Sequence, residues 1–241
     1  MNIYNSWIVK TPIAHRGLHN ESVPENSISA FKKAIECGYA IEFDVHPLKS
    51  GEVVVFHDNT LDRMVGVPGK IEEKNLNEIK HLKLKNSNEH IPTFKEVLDV
   101  VNGKVPLLIE IKNENKVGFE KEVWELLKNY DGEYAVQSFN PFSLKWFKDN
   151  APNVLRGQLS SYFNHDDLLW YKKFILKRMW LNRLVSKPDF ISYNEHDCPN
   201  KYVNKYKGKK PILVWCIKDR NRQEEISHFA DNIIFEGYKP K

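Results

Sequence analysis

Two short runs carry charged side chains at alternate positions: Ile41-Glu42-Phe43-Asp44-Val45-His46 and Leu107-Leu108-Ile109-Glu110-Ile111-Lys112. Alternate residues of a strand share a face, so Glu42, Asp44 and His46 project together, as do Leu108, Glu110 and Lys112. Carboxylates on a covered face need partners, because an unpaired buried charge is costly. Two arrangements would satisfy them. Hard divalent cations take oxygen ligands, so Glu42, Asp44 and Glu110 form a candidate ligand set for one Mg²⁺ or Ca²⁺, with positions left for water or substrate. Alternatively, Lys112 neutralises a carboxylate in a buried ion-pair network.

Two histidines close short apolar runs, His15 after Ile13-Ala14 and His57 after Val54-Val55-Phe56. A turn near Ser50 would bring His57 back level with Asp44. Arg16 beside His15 can hold an anion bidentately, and Lys112 can add a second point charge. An ion pair from Arg16 to Glu25 is a compatible structural role. Two histidines, two cations and a divalent metal suit phosphoryl transfer, which needs a proton acceptor, a proton donor and neutralised phosphate oxygens.

The elements that must hold these residues alternate along the chain. Strand candidates lie near 11–15, 41–46, 53–57, 106–112, 134–138, 154–159, 189–193, 212–217 and 232–236. Helical periodicity falls at 27–37, 93–101, 117–129, 141–149, 165–182, 197–207 and 220–230. Only residues 47–52 separate the second and third strands, too few for a parallel crossover, so that pair is an antiparallel ribbon or an irregular excursion. The remaining eight strands point to a single (β/α)₈ barrel over residues 1–241, whose active site lies at the C-terminal ends of the strands. Residues 58–92 read as a small insertion after the second strand.

The ordered set His15-Arg16-Gly17, Pro24-Glu25-Asn26-Ser27, Ile41-Glu42-Phe43-Asp44-Val45, His57-Asp58, Thr60-Leu61-Asp62-Arg63, Ile91-Pro92-Thr93-Phe94 and Glu110-Ile111-Lys112 resembles the bacterial-type glycerophosphodiester phosphodiesterase family, and Gln137-Ser138-Phe139 extends the match. The resemblance is close over residues 11–140 and loose beyond. It implies a TIM barrel that uses a divalent metal and hydrolyses glycerophosphodiesters to an alcohol and sn-glycerol 3-phosphate. By the same resemblance Glu42, Asp44 and Glu110 are metal ligands, His15 and His57 the acid–base pair, and Arg16 and Lys112 phosphate contacts. The implied route passes through a cyclic phosphate. Two departures stand out: Ser50-Gly51 where the family has Asp-Gly, and Phe235-Glu236-Gly237 where it has a Thr-Asp pair.

Two other readings compete: a non-catalytic barrel that binds phosphorylated ligands, and a phospholipase D-like enzyme acting on lysophospholipids. The five proposed ligand and acid–base positions are all filled, which favours catalysis over a silent barrel. Trp215, near the end of a strand, either stacks on the substrate or packs the barrel rim.

Composition narrows the partners. The 241 residues hold 36 Lys and Arg against 32 Asp and Glu, a net charge of +4, too mild to imply nucleic acid but compatible with a small anionic substrate. No signal segment and no long apolar run are evident, so a soluble cytoplasmic protein is expected. Cys37, Cys198 and Cys216, odd in number and scattered, are expected as reduced thiols. The basic, apolar stretch 172–187 admits weak peripheral membrane contact, but an outer helix with a solvated basic face and a buried apolar stripe is the preferred reading.

Overall fold

In the computed structural model of the protein, which describes residues 2–112, 118–164 and 168–240, nine strands alternate with helices. They are β1 (Ile13–Ala14), β2 (Ala40–Pro47), β3 (Val53–Val55), β4 (Leu107–Ile111), β5 (Tyr134–Ser138), β6 (Leu155–Ser160), β7 (Phe190–Asn194), β8 (Ile212–Ile217) and β9 (Asn232–Phe235). The strand order is β1-β9-β8-β7-β6-β5-β4-β2-β3, with β1 also paired to β2. Neighbours run parallel at β2–β4, β5–β6, β6–β7, β7–β8 and β8–β9. This is the connectivity of a (β/α)₈ barrel, with β3 as an added ninth strand. Contacts concentrate in two units, one centred on Ala14–Lys112 and one on the chain from Ala135 onward.

In the first unit β2 is buried along its length except at Pro47, as a strand covered on both faces should be. Its odd-numbered face packs helices: the Phe43 ring lies 5.6 Å from Phe31 and 5.7 Å from Phe94. Phe31 belongs to the Ile28–Glu36 helix, which Ser27 caps by accepting from the Ala30 N–H. Phe94 opens the Phe94–Val101 helix, whose start is fixed by a capping box between Thr93 and Glu96. Because Phe43 faces these helices, Glu42 and Asp44 face the other way.

β3 returns antiparallel to β2, pairing Val45 with Val55. That register puts Phe56, not His57, level with Asp44: the Phe56 N–H donates to the Asp44 carbonyl at 3.0 Å. The turn thus sits half a residue earlier than the spacing suggested. Residues after β3 fold over a small core of their own, in which Phe56, Leu61, Ile71, Ile79 and Leu84 are all buried.

In the second unit β5 to β9 form a parallel run. The helices here are shorter than their periodicity implied. The 165–182 stretch yields Trp170–Lys177 and a 3₁₀ turn at Trp180–Asn182, its first residues lying outside the described ones. The 197–207 stretch yields only Lys201–Asn204. None of the three cysteines forms a disulfide.

Candidate active site

β2 and β4 lie side by side with Asp44 opposite Glu110. One carboxylate oxygen from each of Glu42, Asp44 and Glu110 falls within 4.8 Å of the others, and all three residues are buried. Lys112 Nζ stands 2.9 Å from Glu110 Oε1 and 3.3 Å from Asp44 Oδ1. Arg16 Nε lies 3.5 Å from Asp44 Oδ2, the Arg16 backbone N–H donates to Glu42 Oε2 at 3.1 Å, and Asn26 Nδ2 donates to Asp44 Oδ2 at 3.0 Å. The two arrangements weighed from sequence therefore coexist: a three-carboxylate cluster and an ion pair to Lys112.

The loop after β1 brings Arg16 to this cluster through left-handed backbone. Arg16 (φ 53°), Gly17 (φ 78°) and Asn26 (φ 55°) all occupy the positive-φ region. For a residue with a side chain that costs of order 1 kcal/mol. A Cβ on Gly17 would meet Ala30 Cβ and Phe31 Cδ1 at 2.9 Å, so glycine lets the loop press onto the Ile28–Glu36 helix. The Asn26 N–H donates to the Arg16 carbonyl at 3.0 Å, tying the two strained residues together. Ser27 caps the following helix, and Asn26 holds Asp44.

A chain of ion pairs runs outward from the cluster. Arg16 donates to Glu25 Oε1 at 2.7 Å, the ion pair foreseen for it. Arg63 spans Glu25 and Asp58, donating to Oε1 and Oε2 of the first at 2.7 and 2.9 Å and to Oδ2 and Oδ1 of the second at 2.7 and 2.9 Å. Asp58 Oδ1 in turn lies 2.7 Å from His57 Nδ1, and the His57 carbonyl meets His46 Nε2 at 3.1 Å.

Electrostatics follow from these contacts. Burial pushes the Glu42 carboxyl well above the carboxylate range, reinforced by Asp44 and Glu110 and only partly opposed by Arg16. Burial would raise Asp44 too, but Lys112, His57 and Arg16 hold it far below its ordinary value. Burial opposes charge on Lys112, yet Glu110 and Asp44 keep it protonated well beyond neutrality. At Glu25 the Arg63 hydrogen bonds and the charges of Arg16 and Arg63 outweigh burial, leaving the carboxyl at about 2. At Asp58 bonds from His57 and Arg63 likewise outweigh burial, and the group stays anionic. An anionic Asp58 can only accept, so the His57 Nδ1 carries the proton.

Whether these residues fit a metal is decided by charge and donor type. The donors are all oxygen, as hard divalent cations require. Burial first, and then Asp44 and Glu110, raise the Glu42 carboxyl, and three carboxylates against Arg16 and Lys112 leave an excess of negative charge. A cation between the three carboxylates removes that excess. The set fits.

Of the residues expected to act, Arg16, Glu42, Asp44, Glu110 and Lys112 meet directly. His57 acts electrostatically on Asp44, and His15 adjoins Arg16 at the end of β1. Trp215 belongs to β8 in the second unit, half-buried and edge-on to Phe139 at 5.8 Å. Asp58 and Arg63, which the sequence reading does not place in the site, lie within the motifs that carry the resemblance, and an Asp directly after a His with an Arg five residues on is the signal that marks them.

Fold and site together define a (β/α)₈ protein with a buried acidic cluster flanked by cations. The chain belongs to the glycerophosphoryl diester phosphodiesterase family, whose model matches residues 15–177. A glycerophosphodiester phosphodiesterase of Caldanaerobacter subterraneus subsp. tengcongensis is 40% identical over 159 residues, covering 61% of this chain and 65% of that protein, so the likeness stops short of two thirds of the relative's length. An uncharacterised protein of Mycoplasma genitalium is 35% identical over 245 residues, 92% of each chain. Among solved structures, an Oleispira antarctica phosphodiesterase in complex with the product sn-glycerol-3-phosphate superposes with a TM-score of 0.77 at 25% identity, covering 94% of this chain and 92% of that one.

Proposed function

We propose that the chain hydrolyses glycerophosphodiesters to an alcohol and sn-glycerol 3-phosphate. The observation that carries this reading is the cluster of Glu42, Asp44 and Glu110 oxygens within 4.8 Å of one another, bordered by Arg16 and Lys112. These three residues would hold one divalent cation, Mg²⁺ or Ca²⁺, which when bound supplies Lewis-acid charge at the phosphate oxygens. Arg16 and Lys112 are the phosphate contacts.

The imidazoles move the protons. With the Nδ1 proton committed to Asp58, His57 presents Nε2 as an acceptor, and His15 is the complementary group. In the first step a glycerol hydroxyl gives up its proton to one imidazole and its oxygen bonds phosphorus. The phosphorus–oxygen bond to the head-group alcohol breaks, and the alcohol leaves with a proton from the other imidazole. Water opens the cyclic phosphate with the two roles exchanged.

The test is release of sn-glycerol 3-phosphate from glycerophosphocholine, -ethanolamine, -inositol and -glycerol, with lysophospholipids alongside, in EDTA and with Mg²⁺ or Ca²⁺ restored. Release that stops in EDTA and returns with either cation is expected. Release indifferent to EDTA, or none from any diester, contradicts the reading.

A further inference from the structure

The segment that follows β6 buries only part of the apolar surface its sequence provides. No residue of the Trp170–Lys177 helix is buried. Leu169 is 58% exposed, Trp170 78%, Trp180 56% and Leu184 76%. The aromatic rings are knitted together: Trp170 stands edge-on to Tyr171, and Phe174 lies edge-on to Trp180 at 5.0 Å. The Arg178 guanidinium sits 3.3 Å from the Phe174 ring centroid. Ile175 and Leu176 are half-buried and Met179 is buried, as an outer helix requires, while Leu169, Trp170, Trp180 and Leu184 remain in solvent.

Charge on this segment has one sign. Residues 168–188 contain Lys172, Lys173, Lys177, Arg178, Arg183 and Lys187 and no acidic residue. Exposed apolar surface on this scale marks a contact surface, and the cations specify the partner. Among the described residues no helix is long and apolar enough to cross a membrane, so the surface lies on its partner and does not pass through it.

We propose that residues 169–187 dock the protein on an anionic phospholipid bilayer, with Trp170, Trp180, Leu169 and Leu184 entering the headgroup region and Lys172, Lys173, Lys177, Arg183 and Lys187 contacting lipid phosphates. Tryptophan and leucine beside lysine and arginine is the composition of an interfacial segment. A second copy fits less well, because a two-fold contact would set six cations against six. Nucleic acid would accept the tryptophans by stacking but leave Leu169 and Leu184 in water. This inference is independent of the catalytic reading.

The experiment is co-sedimentation of the full chain with phosphatidylcholine vesicles and with vesicles that also contain phosphatidylglycerol, read together with tryptophan emission. Binding to the anionic vesicles alone is expected, with a blue shift of emission and loss of binding as salt rises. Trp170→Ser with Leu184→Ser should weaken binding by about tenfold or more, from the loss of buried apolar area. Lys172→Gln with Lys173→Gln should weaken it roughly fivefold per charge. Both pairs are surface changes, so circular dichroism and melting should match the wild type. The proposal is overturned if the chain stays in the supernatant with anionic vesicles at low salt. It is equally overturned if either folded variant binds as the wild type does, or if sedimentation equilibrium reveals a dimer that Leu184→Ser dissolves.

Discussion

His57 Nδ1 and Asp58 Oδ1 lie 2.7 Å apart, a contact between sequence neighbours that fixes which ring nitrogen faces outward. Asp58 is itself gripped at both oxygens by Arg63, so the imidazole is oriented by a charge that cannot swing away. Asp58→Asn keeps the shape but removes the anion that selects the tautomer. Turnover should fall by about 10–100-fold, as when a partner that orients a ligating or catalytic histidine is lost, and the pH profile of kcat should shift while substrate KM changes little. An unchanged profile would show that Asp58 serves only the fold.

Glu42 is buried beside the carboxylates of Asp44 and Glu110. Glu42→Gln preserves volume and removes one negative charge. The metal-free variant should melt no lower than the wild type, and it should lose the upshift that Mg²⁺ or Ca²⁺ produces. Relief of repulsion is worth about 2–4 °C per kcal/mol in a domain of this size. Melting curves in EDTA and in each cation decide it; a retained metal upshift contradicts the ligand assignment.

Gly17→Ala combines a left-handed φ of 78° with a Cβ 2.9 Å from Ala30 Cβ. The cost should be of order 2–4 kcal/mol, measured as a shift in the urea midpoint. Gly38 supplies the control: its φ is 70° but a Cβ there meets nothing within 4 Å, so Gly38→Ala should cost about 1 kcal/mol.

Acid stability should follow Glu25. Its folded carboxyl is held at about 2 against an ordinary 4.5, so the folded state binds fewer protons than the unfolded state between those values. The stabilisation is complete above pH 4.5 and drains away as pH falls towards 2. Glu25→Gln should flatten the loss of stability over that window in urea titrations at stepped pH. An unaltered slope would mean that the Arg16–Glu25–Arg63 bridge contributes nothing.

The legible parts of the molecule were those governed by period and link length. Strict alternation in β2 puts Glu42 and Asp44 opposite Phe43, and the short link after Pro47 excludes a parallel crossover to β3. The resemblance drew Arg16, Glu110 and Lys112 to the same place. The register of β3 escaped by one position, because the link fixes a ribbon but not where its turn centres. Arg63 escaped because its partners, Glu25 and Asp58, lie 38 and 5 residues away in loops without periodicity. The helix at Trp170–Lys177 is amphipathic as its pattern implies, with Ile175 and Leu176 half-buried, but the pattern does not tell that Leu169, Trp170, Trp180 and Leu184 stay exposed.

The most direct measurement is the rate of sn-glycerol 3-phosphate release from glycerophosphocholine by His15→Ala and His57→Ala, with divalent cation present and melting curves run in parallel. Both variants should melt as the wild type does and release no product above background. Near-normal release by either variant would contradict acid–base catalysis by this pair.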